Sequence, residues 1–261
     1  MRGGSTNHSG AALATGVGIR VAKRRNTGRS RRALVATIHL TAETRVAAEV
    51  PEVAYHSPVG GALKRALDIA IALLILTLLA PLMALLAVGI RLCMGGPVIF
   101  RQERIGFNGC TFVCFKFRSM VRNADDTLRE HLARDPNAAR EWQETQKLRH
   151  DPRVGFFGNL LRKSSLDELP QLFNVLRGDM SCVGPRPIIP AELGRYGAHA
   201  RTCFRARPGI TGMWQTNGRN RLSYAERIAL DHYYVNHWSF WLDLVLLLKT
   251  IPAVLRVDNT S

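Results

Sequence analysis

The longest apolar run in the chain covers residues 66–90, where Asp68 is the one formal charge. About 20 apolar residues suffice to cross a bilayer as helix. The pattern therefore predicts a membrane helix, framed by Lys64-Arg65 and Arg91. Pro81 lies near its middle, where the missing N–H kinks or breaks a helix. Downstream the period changes. Residues 97–101 read as a short strand, and Asn108-Gly109 as a tight turn. Residues 111–118 read as a second strand, its end alternating Phe115 and Phe117 with Lys116 and Arg118. Those two cations suit a solvated strand edge or a phosphate. Residues 121–150 are charged and helix-favouring, with Pro136 as a break. Ser223-Tyr224-Ala225-Glu226 is a capping box that opens a helix. Residues 238–248 are aromatic and aliphatic around Asp243. That stretch is too short to span and fits a core helix or one lying in a membrane interface.

Charge bears on the path of the apolar run. Residues 1–65 carry 11 Lys/Arg against 3 Glu, and residues 91–261 carry 25 Lys/Arg against 16 Asp/Glu. Basic flanks prefer the cytoplasmic side. A re-entrant helix–break–helix with Pro81 as the membrane break satisfies both flanks, and a single crossing is the other reading. The whole chain, 261 residues with net charge +16, is long enough for one or two domains with a core. Its charge admits nucleic acid, anionic lipid or phosphorylated ligands as partners. The five cysteines form no CxxC pair, which argues against zinc and for reduced cytosolic thiols. Residues 1–60 are basic and rich in small polar residues. They are expected to be a largely disordered arm, suited to anionic headgroups more than to nucleic acid. The expected organisation is this arm, a membrane helix over 61–91, a cytoplasmic membrane-associated domain over 92–255 and a tail over 256–261.

Chemistry concentrates in residues 162–187. Asp167 and Glu168 adjoin, with Arg162 ahead of them and Pro170 behind. Ser165-x-x-Glu168 matches a capping box. However, a helix capped by Ser165 would put Pro170 at its fifth position, where its missing N–H is needed. A start nearer Asp167 keeps Pro170 in the first turn and places both carboxylates at the helix mouth, among free N–H donors that suit phosphate. Adjacent acids can divide the work of attack, Mg²⁺ binding and proton transfer. In Pro185-Arg186-Pro187 the prolines hold an arginine on a stiff stem, and a guanidinium suits bidentate phosphate contact. In Arg207-Pro208-Gly209-Ile210-Thr211-Gly212 the glycines permit close backbone approach and Arg207 could meet an anion. The Gly-Lys-Ser/Thr ending of a Walker loop is absent.

Together these runs resemble a known family. They are Lys64-Arg65 with Asp68, Pro81, residues 115–120, 166–171, 177–181 and 183–187, and Arg207 through Gln215. In order, over roughly residues 62–255, they are similar to the bacterial sugar transferases, monotopic polyprenyl-phosphate phosphoglycosyl transferases. The nearest likeness is to exopolysaccharide-type undecaprenyl-phosphate galactose phosphotransferases. The resemblance implies a helix-rich α+β monotopic membrane enzyme with a re-entrant helix, a small β element and interfacial amphipathic helices. It implies transfer of a hexose-1-phosphate from a UDP-sugar to undecaprenyl phosphate at the cytoplasmic face of a bacterial inner membrane. Asp167 would be the nucleophile and a Mg²⁺ ligand, with Glu168 assisting. Lys116, Arg118, Arg162, Pro185, Arg186, Pro187 and Arg207 would bind substrate. Nucleic acid is not an implied partner, and a homo-oligomer stays open. One departure is Ala80, where many relatives place Ser before the proline. The alternative class is a membrane-tethered, non-enzymatic binder of anionic lipid or nucleic acid.

Overall fold

The computed structural model describes residues 55–145, 148–218 and 221–255, and residues 1–54 of the basic arm and the tail 256–261 lie outside the described residues. The fold is helix-rich α+β with two small sheets. Helix α1, Gly61–Met94, is the one described helix long and apolar enough to cross a membrane. Pro81 lies inside it, and the helix runs through the proline as one element, so the expected helix–break–helix is not seen as an interruption of the helix. One face of α1 is packed. Ala72 belongs to a buried apolar cluster with Val175, Met180 and Leu246, and Leu86 and Ile90 to another with Phe117 and Leu161. The other face is bare: Leu74, Leu78, Leu85 and Leu92 are 68 to 79% exposed.

Polar bonds fasten both ends of α1 to the same body. At the start, Lys64 Nζ donates to Asp243 Oδ2 at 2.6 Å. Arg65 donates to the carbonyls of Val175 and Leu176. Asp68 Oδ1 accepts from Ser181 Oγ and the Cys182 N–H, each at 2.9 Å. At the far end, the Arg118 guanidinium donates to the carbonyls of Met94, Gly95 and Gly96. Four carbonyls at a helix C-terminus lack internal partners, and Arg118 satisfies part of that need.

Strands β1, Ile99–Ile105, and β2, Thr111–Phe117, form an antiparallel hairpin. Asn108 and Gly109 turn it at φ 56° and 76°, in the left-handed region that Asn and Gly tolerate. Strand β1 runs further than its apolar pattern suggests, through Gln102-Glu103-Arg104, because the pairing with β2 carries polar residues into the ladder. Helices α2, Ala124–Arg134, and α3, Pro136–Thr145, divide at Pro136 as expected. Then come α4, Phe156–Lys163, and α5, Gln171–Arg177. Strand β3, Ser181–Val183, pairs in parallel with β4, Gly209–Thr211. Between these strands lie α6, Leu193–Tyr196, and α7, His199–Cys203. Helices α8, Met213–Thr216, α9, Tyr224–Asn236, and α10, Phe240–Leu255, complete the domain. Ser223 and Glu226 form the expected capping box of α9. Helix α10 is part of the core, as one reading of its sequence expected, and also has an exposed apolar side. Asp243 and Leu246 are buried in the core, while Trp241, Leu248 and Ile251 are exposed.

Candidate functional site

The acidic pair stands on a tight turn between two helices. Ser165 adopts φ 57°, and its side chain caps nothing. Leu166–Glu168 form a single 3-10 turn, and α5 begins at Gln171 with Pro170 as its N-cap. The helix thus starts later than the expected position near Asp167. Pro170 fits there because the cap residue needs no intrahelical N–H bond.

Asn174 explains which cation meets this turn. It is fully buried and acts as a partner for the free edge of β2. Its Oδ1 accepts from the Phe115 N–H at 3.0 Å, and its Nδ2 donates to the Val113 carbonyl at 2.7 Å. Helix α5 is thereby pinned to β2, and Lys116 Nζ reaches Glu168 Oε1 at 2.7 Å. Burial would lift Glu168, but the Lys116 ammonium reverses this and holds it below its usual range. Asp167 is 9% exposed. Burial pushes its carboxyl up to about 6, with Lys116 and Arg162 opposing and the Glu168 charge adding. Arg162 sits on the last turn of α4 and donates from Nε to Ser119 Oγ at 3.0 Å. Gly158 permits this docking, because a Cβ there would strike the Ser119 backbone.

Lys116 and Glu168 open on a cavity of about 110 Å³, also lined by Arg104, Gln171, Arg186, Pro187 and Trp214. Arg104 arrives through the hairpin. The Ile105 N–H donates to the Ile188 carbonyl at 2.8 Å, and Arg104 Nη1 donates to the Pro187 carbonyl at 3.0 Å. The Arg186 and Arg227 guanidiniums lie 5.6 and 4.9 Å from the centre of the Trp214 ring. Nε of Arg104, Nε of Arg186 and Nε1 of Trp214 are buried donors without a hydrogen-bond partner among the described residues. Leaving a buried donor unpaired costs about 1–3 kcal/mol. A wall with several such donors, two of them cationic, is built for an acceptor-rich anion.

Four residues expected to bind substrate do not line the cavity, nor does Asp167. Arg162 is the first of the four, bonded to Ser119 as above. Arg118 is spent on the carbonyls that end α1. Arg207 donates from Nε to the Gly178 carbonyl at 2.7 Å and does not line the cavity. Pro185 accepts from the Gly209 N–H at 2.8 Å and faces a separate small cleft with Tyr196 and Phe204. Gly209 does allow a close approach, but to the chain itself, since a Cβ there would run into the Gly184 backbone.

The family model described as bacterial sugar transferase matches residues 59–257. The chain belongs to the bacterial sugar transferase family. The exopolysaccharide production protein ExoY of Sinorhizobium fredii is 50% identical over 197 residues, which cover 76% of this chain and 87% of that protein. The undecaprenyl-phosphate galactose phosphotransferase of Salmonella typhimurium is 48% identical over 197 residues, covering 76% of this chain and 41% of that longer protein. The UDP-glucose:undecaprenyl-phosphate glucose-1-phosphate transferase of Caulobacter vibrioides is 42% identical over 204 residues, covering 75% of this chain and 71% of its own.

In this sugar transferase the sequence reading missed Arg104, Gln171 and Trp214. Gln171 was within reach, three residues beyond Glu168 on a helical path. Arg104 depends on a strand register and a bridge to residue 188, which no local pattern announces. Among the described residues, no three His, Cys, Asp or Glu side chains gather to hold an ion. The acidic pair alone fits Mg²⁺ in the manner common for that ion, with one or two carboxylates completed by substrate phosphates.

Proposed function

We propose that this enzyme transfers a hexose-1-phosphate from a UDP-sugar to undecaprenyl phosphate, releasing UMP, as the first membrane step of surface-glycan synthesis. The observation that carries the reading is the Lys116–Glu168 pair at a cavity walled by Arg104 and Arg186, with the buried Asp167 carboxyl behind that lining, adjoining Glu168 in the chain and in the field of Lys116. The printed activities of the Salmonella and Caulobacter relatives support the substrate classes.

In this reading the Asp167 carboxylate attacks the β-phosphorus of the UDP-sugar. The bond from that phosphorus to the oxygen bridging the two phosphates breaks, and its electron pair leaves on UMP. A phosphate oxygen of the lipid then attacks the same phosphorus, and the acyl-phosphate bond breaks to restore the carboxylate. Desolvation makes Asp167 more basic, hence a better nucleophile, while Lys116 and Arg162 keep it largely ionised at neutral pH. Lys116 orients Glu168 and adds positive charge where phosphate charge gathers. Arg186 and Arg104 hold the leaving nucleotide's phosphate. Asp167 and Glu168 would hold Mg²⁺ together with substrate oxygens, and the ion would offset phosphate charge.

The enzyme sits on the cytoplasmic face of the inner membrane with α1 re-entrant. Both ends of α1 are bonded to one charged body, which cannot lie on both sides of a bilayer, and this supports the same-side path. Apolar side chains are exposed on each of α1, α4 and α10, with Phe156 89% and Trp241 74% exposed, which suits contact with lipid. Single cysteines near residues 60 and 95, in a background free of other cysteines, are expected to react alike with an impermeant thiol reagent. Opposite reactivity contradicts the topology. UMP release from a panel of UDP-hexoses, with and without undecaprenyl phosphate, tests the activity and names the sugar. No lipid-dependent UMP from any donor contradicts the reading and favours a non-enzymatic binder.

A further inference from the structure

Asp231, on α9, is 1% exposed and does not line the cavity. Its Oδ2 accepts two hydrogen bonds, from the Arg186 backbone N–H at 3.1 Å and from the Tyr196 hydroxyl at 3.3 Å. Its Oδ1 is buried without a partner among the described residues. No cation forms a salt bridge with it among the described residues. The transfer chemistry above makes no use of this carboxylate. Retaining a buried acid so poorly neutralised is costly, and the cost points to a task.

The task follows from the loop it holds. In Pro185-Arg186-Pro187 the two prolines have no N–H, so Arg186 supplies the tripeptide's one backbone donor. That donor goes to Asp231. We infer that Asp231, steadied by Tyr196, is a positioning residue. Its ionised carboxylate fixes the backbone of Arg186 so that the guanidinium meets the phosphate of a nucleoside diphosphate, and protonation slackens that grip. This rests on the reading that Arg186 holds the nucleotide.

The titratable groups that face Asp231 are Arg186 from the loop, Tyr196 from α6, Cys203 from α7 and Tyr234 from its own helix. Burial pushes the carboxyl up to about 7. The Arg186 backbone bond and the Tyr196 hydroxyl pull it down more than the Arg186 charge does. The link to Arg186 is therefore made chiefly through hydrogen bonds rather than through the field of one charge on the other. A charge-assisted bond is roughly twice as strong as a neutral one, so the hold weakens as pH falls through about 7.

UDP binding by calorimetry, between pH 5.5 and 8.5, tests this on wild type, Asp231→Asn, Tyr196→Phe and Arg186→Ala. Titration of the nucleotide itself is common to all four. Asp231→Asn is expected to bind ~10-fold more weakly than wild type at pH 8.5 and to converge with it at pH 5.5, on the order expected for one charge-assisted bond. Tyr196→Phe removes a bond that favours the charged form, so the midpoint of its affinity–pH curve is expected to move up. A merely structural role would weaken binding at every pH and would move no midpoint. Equal or tighter binding by Asp231→Asn at pH 8.5 overturns the inference, tighter binding being what charge repulsion alone would give. Should Asp231→Asn fail to fold, an unmoved midpoint in Tyr196→Phe overturns it. Wild-type affinity in Arg186→Ala would instead remove the nucleotide reading on which the inference stands.

Discussion

Lys64 with Asp243 and Lys116 with Glu168 are both short lysine–carboxylate pairs, at 2.6 and 2.7 Å, in opposite surroundings. The first is sealed, with side-chain exposures of 5% and 1%. Asp243 is also saturated: Tyr234 donates to its Oδ1 at 2.6 Å, and Trp238 Nε1 to its Oδ2 at 2.9 Å. Both oxygens of Asp243 are thus engaged within the protein. The second pair is open, at 26% and 37%. It borders a cavity where Arg104, Arg186 and Trp214 keep donors without partners. Asp243 spends both of its oxygens internally, whereas the cavity wall leaves donors unpaired. The α1 fastenings are not spent throughout, since Asp68 Oδ2 and Arg118 Nε are also buried without a partner among the described residues. The contrast separates charges that hold the fold from charges that await a substrate.

The largest expected effect lies on the open side. Asp167→Asn should cut turnover by about 10³-fold or more, because an amide cannot serve as the nucleophile. The same variant should melt no lower than wild type at pH 7.5. Burial raises the folded-state pKa of Asp167 above its usual value, so its ionised form costs stability and the neutral amide removes that cost. Thermal melts beside UMP-release assays check both halves.

The sealed pair should respond the other way. Asp243→Ala leaves Lys64 buried and unpaired, and should cost about 3–5 kcal/mol in denaturant unfolding. Turnover per folded molecule should stay near that of wild type. A stable Asp243→Ala would dissolve the comparison.

Smaller effects sharpen the open side. Arg186→Lys keeps charge but loses the planar fork, and kcat/KM for the UDP-sugar should fall by roughly 10- to 100-fold, as for a lost bidentate contact. The melting temperature should not change. Arg104→Gln should give a loss of about tenfold, on the order of one hydrogen bond to a charged group. The weakest effect is in pH. At saturating UDP-sugar, the single-turnover rate of UMP release should rise with pH through about 6, since Asp167 must be ionised to attack. A rate that falls over that range would make Asp167 an acid.

The apolar run and the capping box of α9 were legible because each is a local pattern with a local cause. So were the acidic pair, Lys116 and Arg186. The break expected at Pro81, by contrast, does not interrupt α1. Other parts depended on contacts distant in sequence. Alternation put Lys116 and Arg118 on one face and both were expected to bind substrate, but only Lys116 meets the acids, on the strand to which Asn174 pins α5. Arg118 resembles a phosphate ligand in sequence, yet the carbonyls at the end of α1 claim it. Arg104 sits in a polar stretch that read as no strand, and only the hairpin register brings it to the cavity. Asp231 gave no local signal, since its partner lies 45 residues away.

The central claim is that Asp167 becomes covalently phosphorylated by the sugar phosphate. Wild-type enzyme incubated with a UDP-sugar that supports turnover, without lipid acceptor, should release about one UMP per enzyme. Intact-mass and peptide spectrometry should then find a phosphohexose adduct on the peptide that carries Asp167, and undecaprenyl phosphate should discharge it. No adduct under trapping conditions, together with normal turnover once lipid is added, would contradict the account and assign the attack directly to the lipid phosphate.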